Sequence, residues 1–301
     1  MPLVSMTSLL RHALDRGYAV GYFEAWNLES LLAVKDAAEQ AESPVIIGFN
    51  GKFLGNRHRR VKENINHYGS LGRSVAEHSR VPMALILNEA DEPALLETAL
   101  DAGFNVVMRD HEGCSLEQSI QINMSLVRAA HAVGAEVEAE LGELPAWEIG
   151  EKKMSAGIVT DPCEAERFVE KTGVNALDVA VGNVHILEGR KSRLDLDLLA
   201  QLRKRIRIPL VLHGGTGIDK DDLKAAIAGG ICKVNVGTAL RRTFINSLKG
   251  WFQKYDADLL DPGEVTSIGG ELDMMAAARA DVAAEIVRLM TIFGSAKKAG
   301  T

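Results

Sequence analysis

Eight short apolar runs, each followed by a stretch with helical periodicity, constrain the fold of this chain more than any other feature. The runs are rich in β-forming residues, and the stretches between them carry apolar residues at three- and four-residue spacing. Strands that alternate with helices in this way pair in parallel through right-handed crossovers. The runs are YAVGYFEA (18–25), PVIIGFN (44–50), PMALILN (82–88), FNVVMRD (104–110), AEVEAEL (135–141), ALDVAVG (176–182), PLVLHGG (209–215) and CKVNVG (232–237).

The number of these units predicts a closed (β/α)8 TIM barrel of the α/β class. Such a barrel typically has about 250 residues, and the chain has 301. A leading N-terminal helix, a longer loop at 142–158 and a helical C-terminal extension at 262–301 account for the remainder. A doubly wound open sheet is the alternative, but it does not require eight strands at such even spacing. We therefore expect a single barrel domain over residues 1–301.

Charge and composition exclude several classes of function. The formal net charge of −7 argues against nucleic-acid binding, and no apolar run approaches the roughly 20 residues of a membrane span. Three cysteines fit neither a disulfide framework nor a CxxC metal site, so we expect reduced thiols in a cytoplasmic protein. The one dense basic run, Arg57–Arg60, is either a solvated loop or a binding site for an anionic substrate group.

Polar side chains follow most of the apolar runs at the point where each strand is expected to end. In a TIM barrel the chemistry lies at the carboxyl ends of the strands. Two histidines and several carboxylates that meet there are typical of a metal site, although any one of them alone is more often structural. The alternative is that these groups bind no metal and only form hydrogen bonds with one another at the open end of the barrel. The groups are Glu24, Asn50, Asn88, Glu89, Asp110, Glu138, Glu140, His185, His213 and Asn235.

Glycines after the seventh and eighth runs predict a phosphate site. The segments HGGTGID (213–219) and NVGTALRR (235–242) each place glycines ahead of a helix, and Asp219 is expected to cap the first of these helices. Glycine lets backbone N–H groups approach an anion, and a helix N-terminus adds a favourable field. Each cluster alone also fits a tight turn, but the adjacent pair matches the phosphate site that this fold commonly forms.

These segments, in this order, resemble the class II, metal-dependent ketose-bisphosphate aldolases, which include the fructose- and tagatose-bisphosphate enzymes. The resemblance implies a TIM-barrel lyase of carbohydrate metabolism that acts on a small phosphorylated sugar and assembles as a homodimer or homotetramer. It is carried by GYAVGYFEAWNLES, AGFNVVMRD, VEAELGELPAWE, TDPCEAERFVEKTGVNALDVAVGNVH, IPLVLHGGTGI and KVNVGTALR.

The same resemblance implies roles for individual residues. His185 and His213 stand where the family has zinc ligands, and Asp110 and Glu140 stand where it has carboxylates for an alternate metal position. Glu148 aligns with the acid of a mobile loop that moves a proton at the substrate carbon, but the glycine pair of that loop is replaced by Pro145-Ala146. The phosphate-binding residues would be Gly182, Gly214, Gly215, Thr216, Asn235, Gly237 and Thr238.

Three further positions depart from the family pattern. Where the family reads leucine-aspartate-histidine, this chain reads Leu87-Asn88-Glu89, and Glu24 replaces a usual asparagine. The family's aspartate is the acid/base for the aldehyde oxygen, and its histidine is the third zinc ligand. Asn88 cannot exchange a proton near neutral pH, and such a step is typically worth about 10²–10⁴-fold. Standard fructose-bisphosphate cleavage should therefore be slow.

Three interpretations of these departures remain open. In the first, Glu89 joins the two histidines as a metal ligand and favours manganese, iron or magnesium over zinc. The protein then forms an enediolate from a phosphorylated ketose, with Glu148 or Glu24 moving the proton. In the second, Glu89 is the base of an epimerase or isomerase. In the third, the chain is a non-catalytic phosphometabolite-binding relative. We favour the first, because the changed positions gained functional groups and the other site residues remain.

Overall fold

The structure, a computed structural model, describes residues 3–111, 113–142, 157–183, 192–215 and 217–300. It contains the closed parallel barrel that the sequence predicts, with strands in the order β1 to β8 and β1 paired to both β2 and β8. The strands are β1 Val20–Ala25, β2 Val45–Asn50, β3 Met83–Ala90, β4 Val106–Arg109, β5 Glu136–Leu141, β6 Ala176–Val179, β7 Leu210–Leu212 and β8 Ile231–Val236.

Helices connect the strands and form the outer layer of the barrel. Each of the eight predicted runs contains or overlaps one strand, so the fold class is confirmed. The helices are α1 Met6–Arg16, α2 Leu28–Gln40, α3 Gly51–Leu54, α4 Ile65–Glu77, α5 Pro93–Asp101, α6 Leu116–Ala132, α7 Pro162–Thr172, α8 Leu196–Arg205, α9 Lys220–Ala228, α10 Thr238–Lys254, α11 Pro262–Thr266 and α12 Met274–Phe293, with a 3₁₀ helix at Ala257–Leu259.

Local capping explains where several helices begin and end. The Asp161 side chain accepts hydrogen bonds from the backbone N–H groups of Cys163 and Glu164 at the start of α7, and Gly173 ends that helix in the left-handed conformation. Asp219 caps α9 in the same way, as the sequence predicts. None of the described helices combines the length and apolar character needed to cross a membrane.

The barrel interior is apolar at one end and polar at the other. Inward side chains alternate along each strand, so Val20, Tyr22 and Glu24 of β1 share the inner face. Helix α1 packs Met6 and Leu10 into the same buried cluster as the inner apolar residues, which closes the amino-terminal end. Only the carboxyl end therefore remains open for a ligand.

The predicted C-terminal extension packs closely against the barrel. The Phe293 ring of α12 stacks on the Phe23 ring of β1, with 6.2 Å between ring centroids, and Arg279 forms an ion pair with Asp36 of α2. Residues 143–156, most of the predicted loop at 142–158, lie outside the described part of the chain.

We expect Gly48→Ala to destabilise the barrel, because a Cβ at Gly48 would stand 2.0 Å from the backbone oxygen of Ile86. Overpacking of this kind typically costs about 1–3 kcal/mol or more. Gly250→Ala is the matched control, since Gly250 lies on exposed α10 with nothing within 4 Å of its Cβ position. That variant should gain about 0.5–1 kcal/mol from helix propensity. Urea denaturation midpoints measure both changes, and a tolerated Gly48→Ala would contradict the packing described here.

Candidate functional site

A cavity of about 150 Å³ opens at the carboxyl end of the barrel. Its walls come from β1, β2, β3, the turns after β7 and β8, and the first turn of α10. Most of its lining groups are polar, although they stand directly above an apolar interior. The lining residues are Tyr22, Glu24, Asn50, Phe53, Asn88, Glu89, His213, Gly214, Asn235, Val236, Gly237, Thr238 and Arg241.

An arginine and a carboxylate form one wall of this cavity. Arg241 forms an ion pair with Glu24, and its guanidinium lies 4.9 Å from the Trp26 ring centroid and 4.5 Å from that of Phe53. Cation–π contacts on two rings hold the guanidinium in place. Burial raises the pKa of Glu24, while Arg241 opposes that shift. Glu24 is thus a carboxyl group whose proton affinity is increased by its surroundings.

Amide groups connect Glu24 to Glu89 across the cavity. The Asn50 Nδ2 atom donates to Glu89 Oε2 at 2.8 Å and to Glu24 Oε2 at 3.3 Å. Asn88 Nδ2 donates to Glu89 Oε1 at 3.1 Å. Glu89 has a φ of 49°, which non-glycine residues rarely adopt, and strained backbone of this kind clusters at functional sites. Asn50 and Asn88 therefore fix the carboxylate of a residue in an unusual conformation.

His213 faces Glu89 with one ring nitrogen and a second carboxylate with the other. Its Nδ1 atom lies 3.3 Å from Glu89 Oε1, and its Nε2 atom lies 2.6 Å from Oδ2 of the fully buried Asp178. The second contact is close, but it is not a hydrogen bond. Burial lowers the pKa of His213, which favours the neutral imidazole that a metal requires.

Two positions for a metal ion can be compared around this histidine. Two ligand atoms about 2.1 Å from one ion lie about 3.4 Å apart at tetrahedral angles, and the 3.3 Å between His213 Nδ1 and Glu89 Oε1 fits that spacing. Glu138, Asp178 and His213 also approach one another within 4.8 Å. Glu138, however, is already paired with the buried Lys233 ammonium at 2.6 Å, a positive charge that repels a second cation. The pair that faces the cavity has the spacing of two metal ligands without such an ion pair to a lysine.

The residues predicted for the alternate metal position do not line the cavity. Asp110 forms an ion pair with Lys52, which engages the carboxylate. Burial and the nearby carboxylates Glu89 and Asp110 raise the pKa of Glu140 to about 8, against the effect of Lys52. Glu140 therefore keeps its proton to a higher pH than an ordinary glutamate, and must lose that proton to bind a cation.

The predicted phosphate residues are only partly brought together. Gly214, Asn235, Gly237 and Thr238 line the cavity, whereas Gly182 and Gly215 do not. Helix α10 follows the N-cap Gly237, which offers no side chain to cap the first-turn N–H groups, and Gly237 and Thr238 line the cavity. This end of the cavity has the chemistry that an anion requires.

Comparison with known proteins identifies the family. The model of the class II fructose-bisphosphate aldolases matches residues 4–298. This chain belongs to the class II fructose-bisphosphate aldolase family. The fructose-bisphosphate aldolase of Geobacillus stearothermophilus is 34% identical over 303 residues, which cover 99% of each protein. The crystal structure of the YdjI aldolase from Escherichia coli K12 superposes with a TM-score of 0.80 at 30% identity, over 99% of each chain.

A third similar protein is a putative fructose-1,6-bisphosphate aldolase from Coccidioides immitis, whose crystal structure matches with a TM-score of 0.82 at 27% identity, over 98% of this chain and 97% of that one. Class II aldolases are metal-dependent, and the chemistry and spacing of His213 and Glu89 fit two ligands of a divalent metal ion. The other metal ligand expected from the resemblance, His185, lies outside the described residues, as do the predicted acid Glu148 and the phosphate residue Thr216.

Several residues in or next to this aldolase-family cavity were not predicted from the sequence. Tyr22 lies two positions before Glu24, so the alternation of β1 places it on the same inner face. Asp178 stands inside the apolar run of β6, where a carboxylate is unusual. Arg241 lies within NVGTALRR, but its sequence position does not reveal the partner Glu24. The Arg57–Arg60 run is absent from the cavity lining, and Arg59 is engaged by Glu63 and by the Phe53 carbonyl.

We expect Glu140→Gln to change how the stability of the metal-free aldolase depends on pH. An unfolded Glu140 ionises near its ordinary value of 4.5, whereas the folded residue keeps its proton up to about 8. The wild type should therefore lose stability relative to the variant as the pH rises from about 4.5 to about 8. Thermal midpoints across this range measure the difference, with the exposed Glu97→Gln as control. A constant difference would contradict the raised pKa.

We expect Asp178→Ala to weaken divalent-metal binding by about 10–100-fold, because the carboxylate orients the His213 ring. Asp178→Asn, which retains the shape and an acceptor oxygen, should lose less. Asp222→Asn is the control, since this buried carboxylate accepts a bond from Leu194 N at 2.9 Å outside the cavity. Titration with Co²⁺, followed by absorption, gives the affinities. Metal binding that survives Glu89→Ala but not Asp178→Ala would place the ion at the Glu138 cluster instead.

Proposed function

We propose that this chain is a divergent class II aldolase-like lyase that cleaves a phosphorylated ketose other than fructose bisphosphate in a retro-aldol reaction. The observation that carries this proposal is the 3.3 Å approach of His213 Nδ1 to Glu89 Oε1 at the wall of the cavity. Asn235, Gly237 and Thr238 line the same cavity. A metal-binding pair and an anion-binding end within one cavity suit a substrate that carries both a carbonyl and a phosphate.

His213 and Glu89, with His185, would hold the divalent metal of this site. When bound, such an ion supplies a Lewis acid that polarises the substrate carbonyl. The carboxylate ligand favours a harder ion than three histidines would, so manganese, iron or magnesium is the proposed metal. Zinc is the metal that the family resemblance implies. Asp178 orients His213, and Asn50 and Asn88 orient Glu89.

The backbone and side chains around α10 would bind the substrate phosphate. The first-turn N–H groups of α10 donate to the phosphate oxygens, and Gly237 permits close approach, because its Cβ position lies only 3.2 Å from Glu24 Oε2. Asn235 and Thr238 add side-chain donors. Gly182, Gly214, Gly215 and Thr216 would complete the loop in the manner of the family.

Proton transfer would be divided between two glutamates. Glu24 lies in the cavity and its burial raises its pKa, so it is suited to take the proton of the hydroxyl on the carbon that leaves as an aldehyde. Glu148 would return a proton to the carbon of the ketose half. Asn88 cannot do either, which is why the activity on fructose bisphosphate should be low.

We expect hydrogen–deuterium exchange at the C–H bond of dihydroxyacetone phosphate in heavy water with added Mn²⁺ or Zn²⁺, measured by NMR. Exchange should disappear in His213→Ala, Glu89→Ala and Glu148→Ala. It should persist in His78→Ala, whose exposed ring is hydrogen-bonded to the Ser74 carbonyl. Elemental analysis of Glu89→Ala distinguishes the two roles of Glu89. Loss of bound metal indicates a metal ligand, and retention of the metal indicates a base.

The outcomes separate the alternatives. Exchange without cleavage of any phosphorylated ketose would support the epimerase or isomerase, in which Glu89 is the base. Stabilisation of the protein by phosphosugars without exchange would support a binding protein and contradict the lyase. An activity on fructose bisphosphate equal to that of the family's standard enzymes would contradict the proposed divergence.

A further inference from the structure

Tyr22 lies on the floor of the cavity with a hydroxyl group that no described residue satisfies. Its side chain is 1% exposed, it lines the cavity, and its hydroxyl has no hydrogen-bond partner within the described part of the chain. Buried hydroxyl groups nearly always have a partner, and leaving one without a partner costs free energy. A tyrosine in this position calls for a functional explanation.

The surroundings of Tyr22 fix its ring. In the barrel register it pairs with Ile46 of β2 on one side and with Asn235 of β8 on the other. The Lys233 ammonium lies 4.9 Å from the ring centroid, a cation–π contact made in a fully buried position. The neighbouring strands and the ammonium therefore enclose the ring, and Tyr22 lines the same cavity as Glu24.

We propose that Tyr22 is a catalytic residue whose O–H donates a hydrogen bond to the substrate oxygen that becomes the aldehyde oxygen when the carbon–carbon bond breaks. This inference rests on the proposed lyase function. The family has an aspartate at position 88 that acts on the aldehyde oxygen, and Tyr22 would act on that oxygen in this chain, where Asn88 replaces the aspartate. Asn88 is already committed as a donor to Glu89 at 3.1 Å. Tyr22 lines the same cavity as Asn88, and its hydroxyl has no hydrogen-bond partner among the described residues.

The bond changes in this step balance without transfer of the tyrosine proton. The substrate hydroxyl loses its proton to Glu24, and its C–O bond becomes a carbonyl as the carbon–carbon bond breaks. The electron pair of the broken bond stays with the ketose half as an enediolate, which then takes a proton from Glu148. Tyr22 stabilises the negative charge on the oxygen throughout. Burial raises the pKa of Tyr22 well above its usual value, and Glu24 and Glu89 raise it further, so the phenol remains a donor.

The test compares Tyr22→Phe with Tyr18→Phe. Tyr22→Phe removes only the hydroxyl, so we expect the thermal midpoint to be unchanged or higher. Tyr18 is the control at the closed end of the barrel, where its hydroxyl is hydrogen-bonded to His12 Nδ1 at 2.8 Å. Tyr18→Phe should lower the thermal midpoint and leave catalysis unchanged.

Two reactions of dihydroxyacetone phosphate then locate the role of the hydroxyl. The first is deuterium exchange in heavy water, which needs no aldehyde. The second is condensation with aldehydes, using glycolaldehyde, glyceraldehyde and glyceraldehyde 3-phosphate, and is followed by consumption of dihydroxyacetone phosphate. We expect Tyr22→Phe to keep the exchange rate of the wild type and to condense about 100-fold more slowly, the loss typical for removal of one oxyanion donor.

Each result has one meaning. Equal losses of exchange and condensation in Tyr22→Phe, or no loss of either, would overturn the role at the aldehyde oxygen and leave the proposed function intact. A fall in thermal midpoint without a kinetic change would show a structural hydroxyl. Absence of exchange in the wild type would refute the lyase itself, and the role of Tyr22 with it.

Discussion

The placement of charge at the open end of a closed barrel is the constraint on which the rest of the structure depends. Side chains on the inner face of the strands lie in the barrel interior, and several of them are carboxylates. Burial of an unpaired carboxylate is costly, so each needs a cation or donors. Lys233 pairs with Glu138, Arg241 with Glu24, and Lys52 with Asp110.

These pairings determine which carboxylates remain for a metal. Among the described residues, Glu89 is held by the amide groups of Asn50 and Asn88 and by its contact with His213. Asp178 forms no ion pair with a lysine or arginine among the described residues and contacts the ring of His213. A divalent cation bound by His213 and Glu89 would therefore balance the charge that the protein's own lysines and arginines leave unpaired. Electrostatics and ligand geometry thus favour the same position.

The cavity keeps features that cost stability and that packing alone does not explain. Glu89 has a positive φ, and the Tyr22 hydroxyl and the Asn88 and Asn235 side-chain oxygens have no hydrogen-bond partners among the described residues. Natural proteins tolerate such violations chiefly at functional sites. In a chain whose activity had been lost, relief of these costs would be expected. Several of them surround one cavity, as is expected of a functional site.

The sequence by itself determined the eight strands, the helix caps at Asp161 and Asp219, and the polar groups at the strand ends. These features depend on alternation and capping between residues close in the chain, which can be read from local patterns. Asn88 and Glu89 were identified in the same way, because they end an apolar strand.

Only the tertiary structure decided which of these groups act together. Arg241 meets Glu24 across 217 positions of sequence, and Lys233 meets Glu138 across 95. Asp178 and Tyr22 were missed because, within buried strands, a polar side chain acquires its role only from the strands placed beside it. Closure of the barrel brings those strands together, and no local pattern encodes the distances that result.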